Sequence, residues 1–236
     1  MFPFSETIEI EKGLSLNYSQ VLEQIFPLLT EARQKKIQEV VAKRTFNCSV
    51  VLENIYDRGN VSAVMRSAEA MGFAQVHMIS AIEKFKESQR TTAGADKWLE
   101  VKKWKSTSEC IDQLKRQGKQ IIATHLDASS VDISSIDFSR PSAIVLGNEK
   151  DGISAEMIER ADARVILPMQ GFVQSYNISV AGALCFYHIF RDRLIRQGQH
   201  GDLTLPQQQI LQAHYALRTL DSSADILRNF KKKSSE

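Results

Sequence analysis

Cysteine is scarce in this 236-residue chain: Cys48, Cys110 and Cys185 are the only three, far apart, and two of them stand in apolar runs. That leaves no disulfide framework and no thiolate metal site; reduced core thiols of a cytosolic protein are expected. None of the five histidines stands at metal-ligand spacing from a cysteine or another histidine, so no metal is expected. No run of 18 apolar residues occurs, and no membrane span is expected. The opening MFPFSETIEIEKG carries acids early and has no basic segment before an apolar block, so no secretory signal is expected either. Also missing are a GxGxxG after the first buried strand, a P-loop, a GxSxG and an HExxH. Their absence argues against a dinucleotide-binding Rossmann site, a Rossmann-type methyltransferase, a phosphate-loop enzyme, a serine hydrolase and a zinc protease. There is no internal repeat and no low-complexity linker.

What is present suits one generous α/β domain with appendages, or at most two small domains. With 43% hydrophobic residues the chain can build a real core. Residues 17 to 44 have helical spacing (Val21, Ile25, Leu28, Leu29, then Ile37, Val40, Val41), and Pro27 should kink or divide the helix. Strand-like runs then alternate with amphipathic helices. Strands are expected at Cys48–Ile55, Ala74–Ile79, Gln120–His125, Ser142–Leu146 and Arg164–Leu167. Helices are expected at Val61–Met71, Thr107–Gln117 and Ser154–Ala161. Apolar, β-branched strands separated by helices imply a mostly parallel sheet with helices on both faces. Beyond Gly198 the sequence becomes a Gln-rich, weakly amphipathic tail. The expected division is a helical N-terminal extension (1–45), a central domain (46–198) and a C-terminal tail (199–236), the tail also a helical extension.

Three loops follow strand ends, where open α/β sheets place ligands. The first, NIYDRGN (54–60), enters a helix with Val61, Val64, Met65, Ala68 and Met71 on its apolar face and Ser62, Arg66 and Glu69 on another stripe. That stripe reads either as a solvated face with an Arg66–Glu69 pair or as Asn60 and Arg66 turned toward a phosphate, which helix amides and a guanidinium favour. The second, LGNEKDG (146–152), places glycines around an acid and enters a helix that Ser154 could cap. It reads as an exposed turn or as a backbone pocket for a ribose, an amine or an adenine edge. The third, LPMQGFVQSYNISVAGAL (167–184), joins a strand end to a helix lined with Ala181, Gly182 and Ala183, with Ser175 and Asn177 placed to cap it. Small residues there let backbone approach backbone, or a flat ligand, closely.

Formal net charge is only +2, but basic residues cluster in 31–44, in 83–105 and in the tail at Arg228 and Lys231–Lys233. Any one cluster reads equally well as a solvated helix face; three together tilt the reading toward a polyanion such as RNA.

In order, ENIYDRGNVSAVMRSAEAMG, IVLGNEKDGIS and LPMQGFVQSYNISVAGAL resemble the three signature motifs of the SpoU branch of the SPOUT methyltransferases. TTAGADKW and ATHLDASSVDISSIDFSRPSAIVLG between them also read like that family, and the resemblance covers roughly residues 31 to 196. It implies a C-terminal trefoil knot, one of the rare exceptions to unknotted chains, a homodimer with the active site formed across it, and bent S-adenosylmethionine as cofactor. By position, the family's cofactor contacts fall on Thr124, Gly147, Glu149, Leu167, Met169, Ser175, Tyr176 and Asn177. The catalytic arginine falls on Arg66 with Asn60 beside it, and RNA contacts are expected at Arg33, Lys36, Arg191 and Arg193. Tyr176 stands where the family usually has leucine, and Lys36 replaces an arginine. The implied activity is 2′-O-methylation of ribose in RNA, with basic helices flanking the core pointing to tRNA and guanosine 18 of the D-loop. A ribosomal RNA target and a non-catalytic RNA-binding relative are the alternatives.

Overall fold

A computed structural model of the chain describes residues 1–80, 94–148, 150–173 and 175–233. By internal contacts it divides into two compact units, one of residues 1–44 with 201–236 and one of residues 45–200.

The first unit opens with an antiparallel hairpin, β1 (Thr7–Glu11) and β2 (Leu14–Asn17). The sequence periodicity had suggested only helix in this extension. Ile8, Leu14 and Leu16 are buried, and these strands of five and four residues are too short for alternation to stand out in the sequence. Asn17 then starts helix α1 (Tyr18–Ile25) with a capping box, its backbone N–H donating to Gln20 Oε1 at 3.0 Å. Pro27 sits in a 3-10 turn over Phe26–Leu28, dividing the helical region as its missing N–H requires. Helix α2 (Glu31–Val41) follows, capped by Thr30.

In the second unit, β3 (Cys48–Glu53) is buried along its whole length. Helix α3 (Arg58–Ala70), β4 (Gln75–Ile79), β5 (Glu100–Trp104), α4 (Thr107–Arg116), β6 (Gln120–Thr124), β7 (Val131–Asp132), β8 (Ser142–Leu146), α5 (Ala155–Arg160), β9 (Ala163–Ile166) and α6 (Ile178–Gln197) complete it. Among the described residues the sheet has seven strands in the order β5-β4-β3-β8-β6-β9-β7, paired in parallel throughout. Successive side chains of β3 serve opposite faces. Val50 and Leu52 join the core with Val64, Met65 and Phe186, from α3 and α6. Val51 joins Cys110, Ile111, Leu114 and Met157, from α4 and α5. A strand covered on both faces has no polar side, hence the continuous apolar run.

β5 was not anticipated. EVKKW is half-exposed at the sheet edge, where lysines discourage further pairing and mask the strand signal. The order also puts β8, β6 and β9 side by side. Loops leaving their carboxyl ends are therefore neighbours, although those ends, Thr124, Leu146 and Ile166, are 20 to 42 residues apart in sequence.

In the first unit, α7 (Leu205–Thr219) and α8 (Ser223–Lys233) form the C-terminal extension, helical as expected. Both α1 and α2 pack against α7, and α1 also against α8, burying Val21, Ile25, Ile37, Ile210, Leu211 and Leu227. Tyr215, on α7, has the guanidiniums of Arg44 and Arg218 each 5.9 Å from its ring centre.

Candidate active site

Asn54 leaves β3 in a left-handed conformation (φ +54°), unusual for a residue with a side chain. Its N–H donates to Ile79 O at 3.0 Å and its carbonyl accepts from Asn148 Nδ2 at 2.8 Å. Asp57 caps α3, its carboxylate accepting from Asn60 N at 2.7 Å. Val61, Val64, Met65 and Ala68 are buried, which turns Arg66 outward into solvent. Asn60 is half-buried at the start of the helix.

The loop after β8 folds back on itself. Asn148 and Gly152 exchange both backbone hydrogen bonds at 2.9 Å, and Asn148 Oδ1 accepts from the amides of Lys150 (2.7 Å) and Asp151 (3.0 Å). Gly147 has no room for a side chain: a Cβ there would lie 2.5 Å from the Gly152 carbonyl carbon and oxygen. The loop ends at Ser154, whose hydroxyl caps α5 and donates to Glu53 Oε1 at 2.7 Å. The Ser154 amide donates to the other Glu53 oxygen at 2.9 Å.

After β9, Tyr176 closes the third loop by donating its hydroxyl to Pro168 O at 3.1 Å. Asn177, not Ser175, caps α6, accepting from the Ser179 amide at 2.9 Å and hydroxyl at 2.5 Å. The other side of the Asn177 amide donates to Asn60 Oδ1 at 3.3 Å.

The loops after β8 and β9, with the segment leaving β6, line a cleft of about 620 Å³. Of the expected cofactor residues, Thr124, Gly147, Leu167, Met169, Ser175, Tyr176 and Asn177 line it; Glu149 lies outside the described residues. His125, Leu126, Lys150 and Ala181 line it too. Thr124 donates its hydroxyl to Val145 O at 2.8 Å, so its side chain braces the neighbouring strand. Asn60 and Arg66 are not part of the wall; Asn60 is joined to it through Asn177. At the rim, Asp127 accepts from Ser129 Oγ (2.7 Å) and lies 3.5 Å from His125 and 3.3 Å from Arg164. The Ser129 hydrogen bonds, with further ones from Arg164 and Ser130, hold its carboxyl far below the usual carboxylate range.

Of the expected RNA contacts, Arg33 and Lys36 are exposed on α2 and Arg191 is exposed on α6. Arg193 must be withdrawn from that set, because only 1% of it is exposed. Its guanidinium donates to Phe138 O and Cys48 Sγ at 3.2 Å and to His200 O at 3.0 Å, inside the core. Sequence reasoning also passed over Glu53 and Asn148, which organise the loops. The available signal was an acid closing the otherwise apolar strand run CSVVLE.

Among the described residues no group of His, Cys, Asp and Glu could hold a metal ion, and no helix is long and apolar enough to cross a membrane. All three cysteines are buried and none forms a disulfide; burial pushes the Cys110 and Cys185 thiols up to about 12, far from reactive thiolates.

Residues 47–187 match the family model described as the SpoU rRNA Methylase family. The chain is 38% identical over 165 residues to the tRNA (guanosine(18)-2′-O)-methyltransferase of Escherichia coli K12, covering 70% of this chain and 72% of that protein. It is 32% identical over 203 residues to the protein of the same name from Borreliella burgdorferi, covering 83% and 93%. Among solved structures, the TrmH/SpoU tRNA modifying enzyme of A. aeolicus superposes with a TM-score of 0.73 at 31% identity, over 80% of this chain and 98% of that one.

Proposed function

The chain belongs to the SpoU rRNA methylase family, and from that premise we propose that it methylates the ribose 2′-hydroxyl of guanosine 18 in tRNA, with S-adenosylmethionine as donor. Relatives bearing that activity in their names are 32 to 38% identical to it. The observation that carries the reading is the hydrogen bond from Asn177 to Asn60, which attaches the Arg66 helix to the wall of the cleft.

The cleft fits the donor. Its volume lies in the range of about 300–1,000 Å³ usual for small-molecule sites. At Gly147 a side chain would run into Gly152 and Ile153, so glycine is what lets this wall of the cleft fold so tightly. Thr124, Gly147, Leu167, Met169, Ser175, Tyr176 and Asn177 would hold it. Bound there, the cofactor supplies a methyl group activated by a sulfonium.

The remaining work falls to the protein. Alignment of the ribose hydroxyl with the methyl group accounts for much of the rate in such transfers. Arg66 stays protonated, since a guanidinium has a pKa above about 12, and so is a poor base. We assign it to hold the phosphate beside the target ribose and to stabilise negative charge growing on the 2′-oxygen, the phosphate relaying the proton to solvent. Asn60 positions the start of the same helix. Arg33, Lys36 and Arg191 are our candidates for contacts with the tRNA backbone.

Our reading includes a knotted C-terminal segment, a homodimer and a cytoplasmic location. Close packing supports the first: a Cβ on Gly182 would lie 3.1 Å from Leu146 Cδ1. Val180, Leu184, Tyr187 and Ile195 form an exposed apolar stripe along α6, which supports a second copy. Three buried cysteines outside any disulfide support a reducing compartment.

The test is to incubate the purified protein with labelled S-adenosylmethionine and unmodified tRNA or ribosomal RNA, then map the methylated ribose. A mark at guanosine 18 is expected. A mark only in ribosomal RNA would overturn the substrate, and absence of cofactor binding would overturn the enzymatic reading.

A further inference from the structure

Glu53 closes β3 with its side chain wholly buried, 0% exposed. A buried carboxylate is tolerated only where donors converge on it. Three do: Thr107 Oγ1 at 2.6 Å, Ser154 Oγ at 2.7 Å and the Ser154 amide at 2.9 Å. Thr107 opens α4. Both other donors belong to the residue that ends the cleft loop after β8. The next residue along, Asn54, accepts from Asn148 at the other end of that loop, at 2.8 Å. Two consecutive residues thus grip the loop at both ends. The strand they terminate runs directly on to Asn60 and Arg66.

We infer that Glu53 is a positioning residue for the cofactor: it sets the cleft wall at Gly147, Asn148 and Gly152 relative to the segment carrying Asn60 and Arg66, and so governs affinity for the methyl donor. A carboxylate is suited to this because one oxygen takes the Ser154 amide while the other takes two hydroxyls, fixing the loop end in direction as well as distance. An apolar residue would fill the space and leave the Ser154 amide unsatisfied. The inference rests on the methyltransferase reading above.

The test compares three substitutions in the full-length protein, measuring S-adenosylmethionine binding by calorimetry, steady-state methyl transfer to tRNA and thermal unfolding. Glu53→Gln is expected to raise the dissociation constant and KM for S-adenosylmethionine by about 10-fold or more, the range for one charged hydrogen bond, with kcat at saturation near wild type. Ser154→Ala, which keeps the amide and loses the hydroxyl, is expected to raise both by about 3-fold. It carries the test alone should Glu53→Gln fail to fold. Thr107→Val removes a donor to the same carboxylate away from the loop, so it should lower the unfolding midpoint and leave cofactor affinity unchanged. Lowered midpoints with wild-type cofactor affinity in Glu53→Gln and Ser154→Ala would show a purely structural carboxylate and overturn the inference. Failure of the wild-type protein to bind S-adenosylmethionine would overturn the functional reading, and this inference with it.

Discussion

Asn177 and Asn60, 117 residues apart, share a side-chain hydrogen bond of 3.3 Å. Asn177 meanwhile caps α6 through its oxygen, so one amide both starts the last helix of the sheet unit and secures the first residues of α3. Its two functions can be separated. Asn177→Ser keeps a good cap and loses the reach to Asn60, whereas Asn177→Ala loses both. The alanine variant should lose about 1 kcal/mol of stability, the usual worth of such a cap. The serine variant should unfold close to the wild-type midpoint, and both should transfer methyl groups more slowly. Thermal unfolding beside single-turnover kinetics checks this; a serine variant with wild-type turnover would show the Asn60 link to be incidental.

Arg66 is exposed and, in our reading, acts through a planar two-point contact. Arg66→Ala should lower kcat by roughly 100-fold or more, the scale for losing one preorganised donor to a developing oxyanion. Cofactor binding should persist. Arg66→Lys should recover little of the rate, because an ammonium cannot reproduce the fork. Near-full turnover in the lysine variant would rule out that geometry.

Gly147→Ala tests the close approach in the cleft. The added methyl would sit 2.5 Å from Gly152 backbone atoms, so the loop must shift. Weakened S-adenosylmethionine binding is expected in calorimetry, with tRNA affinity in filter binding unchanged.

Buried and exposed arginines should part company. Arg193→Met removes the donor to the His200 carbonyl and should cost about 1–3 kcal/mol for the buried group left unsatisfied. RNA affinity well below the unfolding midpoint should stay the same. Arg33→Ala and Lys36→Ala should leave stability within about 0.5 kcal/mol. Each should also reduce the salt dependence of tRNA binding by about one unit of log–log slope. A stable Arg193 variant with impaired RNA binding would reinstate that residue as an RNA contact.

Acid should destabilise the fold before the carboxylates titrate. Burial lowers His77 to about 3, and His200 and His214 to about 4, against an ordinary 6.5. Groups with depressed folded values take up protons more readily when unfolded. Their contribution is therefore complete above about pH 6.5 and is lost as pH falls toward 4 and then 3. The denaturation midpoint should drop between pH 7 and pH 5. His200, whose ring nitrogens have no hydrogen-bond partner among the described residues and which lies 5.5 and 5.4 Å from the rings of Phe73 and Phe190, offers a control. His200→Phe should flatten that decline.

Much of the fold is legible along the chain. Ser142–Leu146 forms a strand with the bounds its composition suggests, and β3 and β6 end within two residues of expectation. Fully covered strands show as unbroken apolar runs. Edge and hairpin strands do not, which is why EVKKW and the N-terminal hairpin passed unnoticed. Arg193 shows a subtler failure. Charge alone suggested a surface, yet Gly182, Phe186, Ile189 and Arg193 are buried at helical spacing along one face of α6. Position on the helix outweighs charge once three carbonyl or thiol acceptors are waiting there.

Local sequence sets the alternation of covered strands and helices, the caps at Ser154 and Asn177, and the three loops rich in small and polar residues. These depend on local backbone sterics and on periodicity within a dozen residues. Which loops meet is a property of the folded sheet. The contacts that build the site, Asn54 with Asn148, Glu53 with Ser154 and Asn60 with Asn177, span 94, 101 and 117 residues. They exist because parallel strands are joined by crossovers, so that neighbours in the sheet are distant in the chain and strand order alone brings their carboxyl ends together.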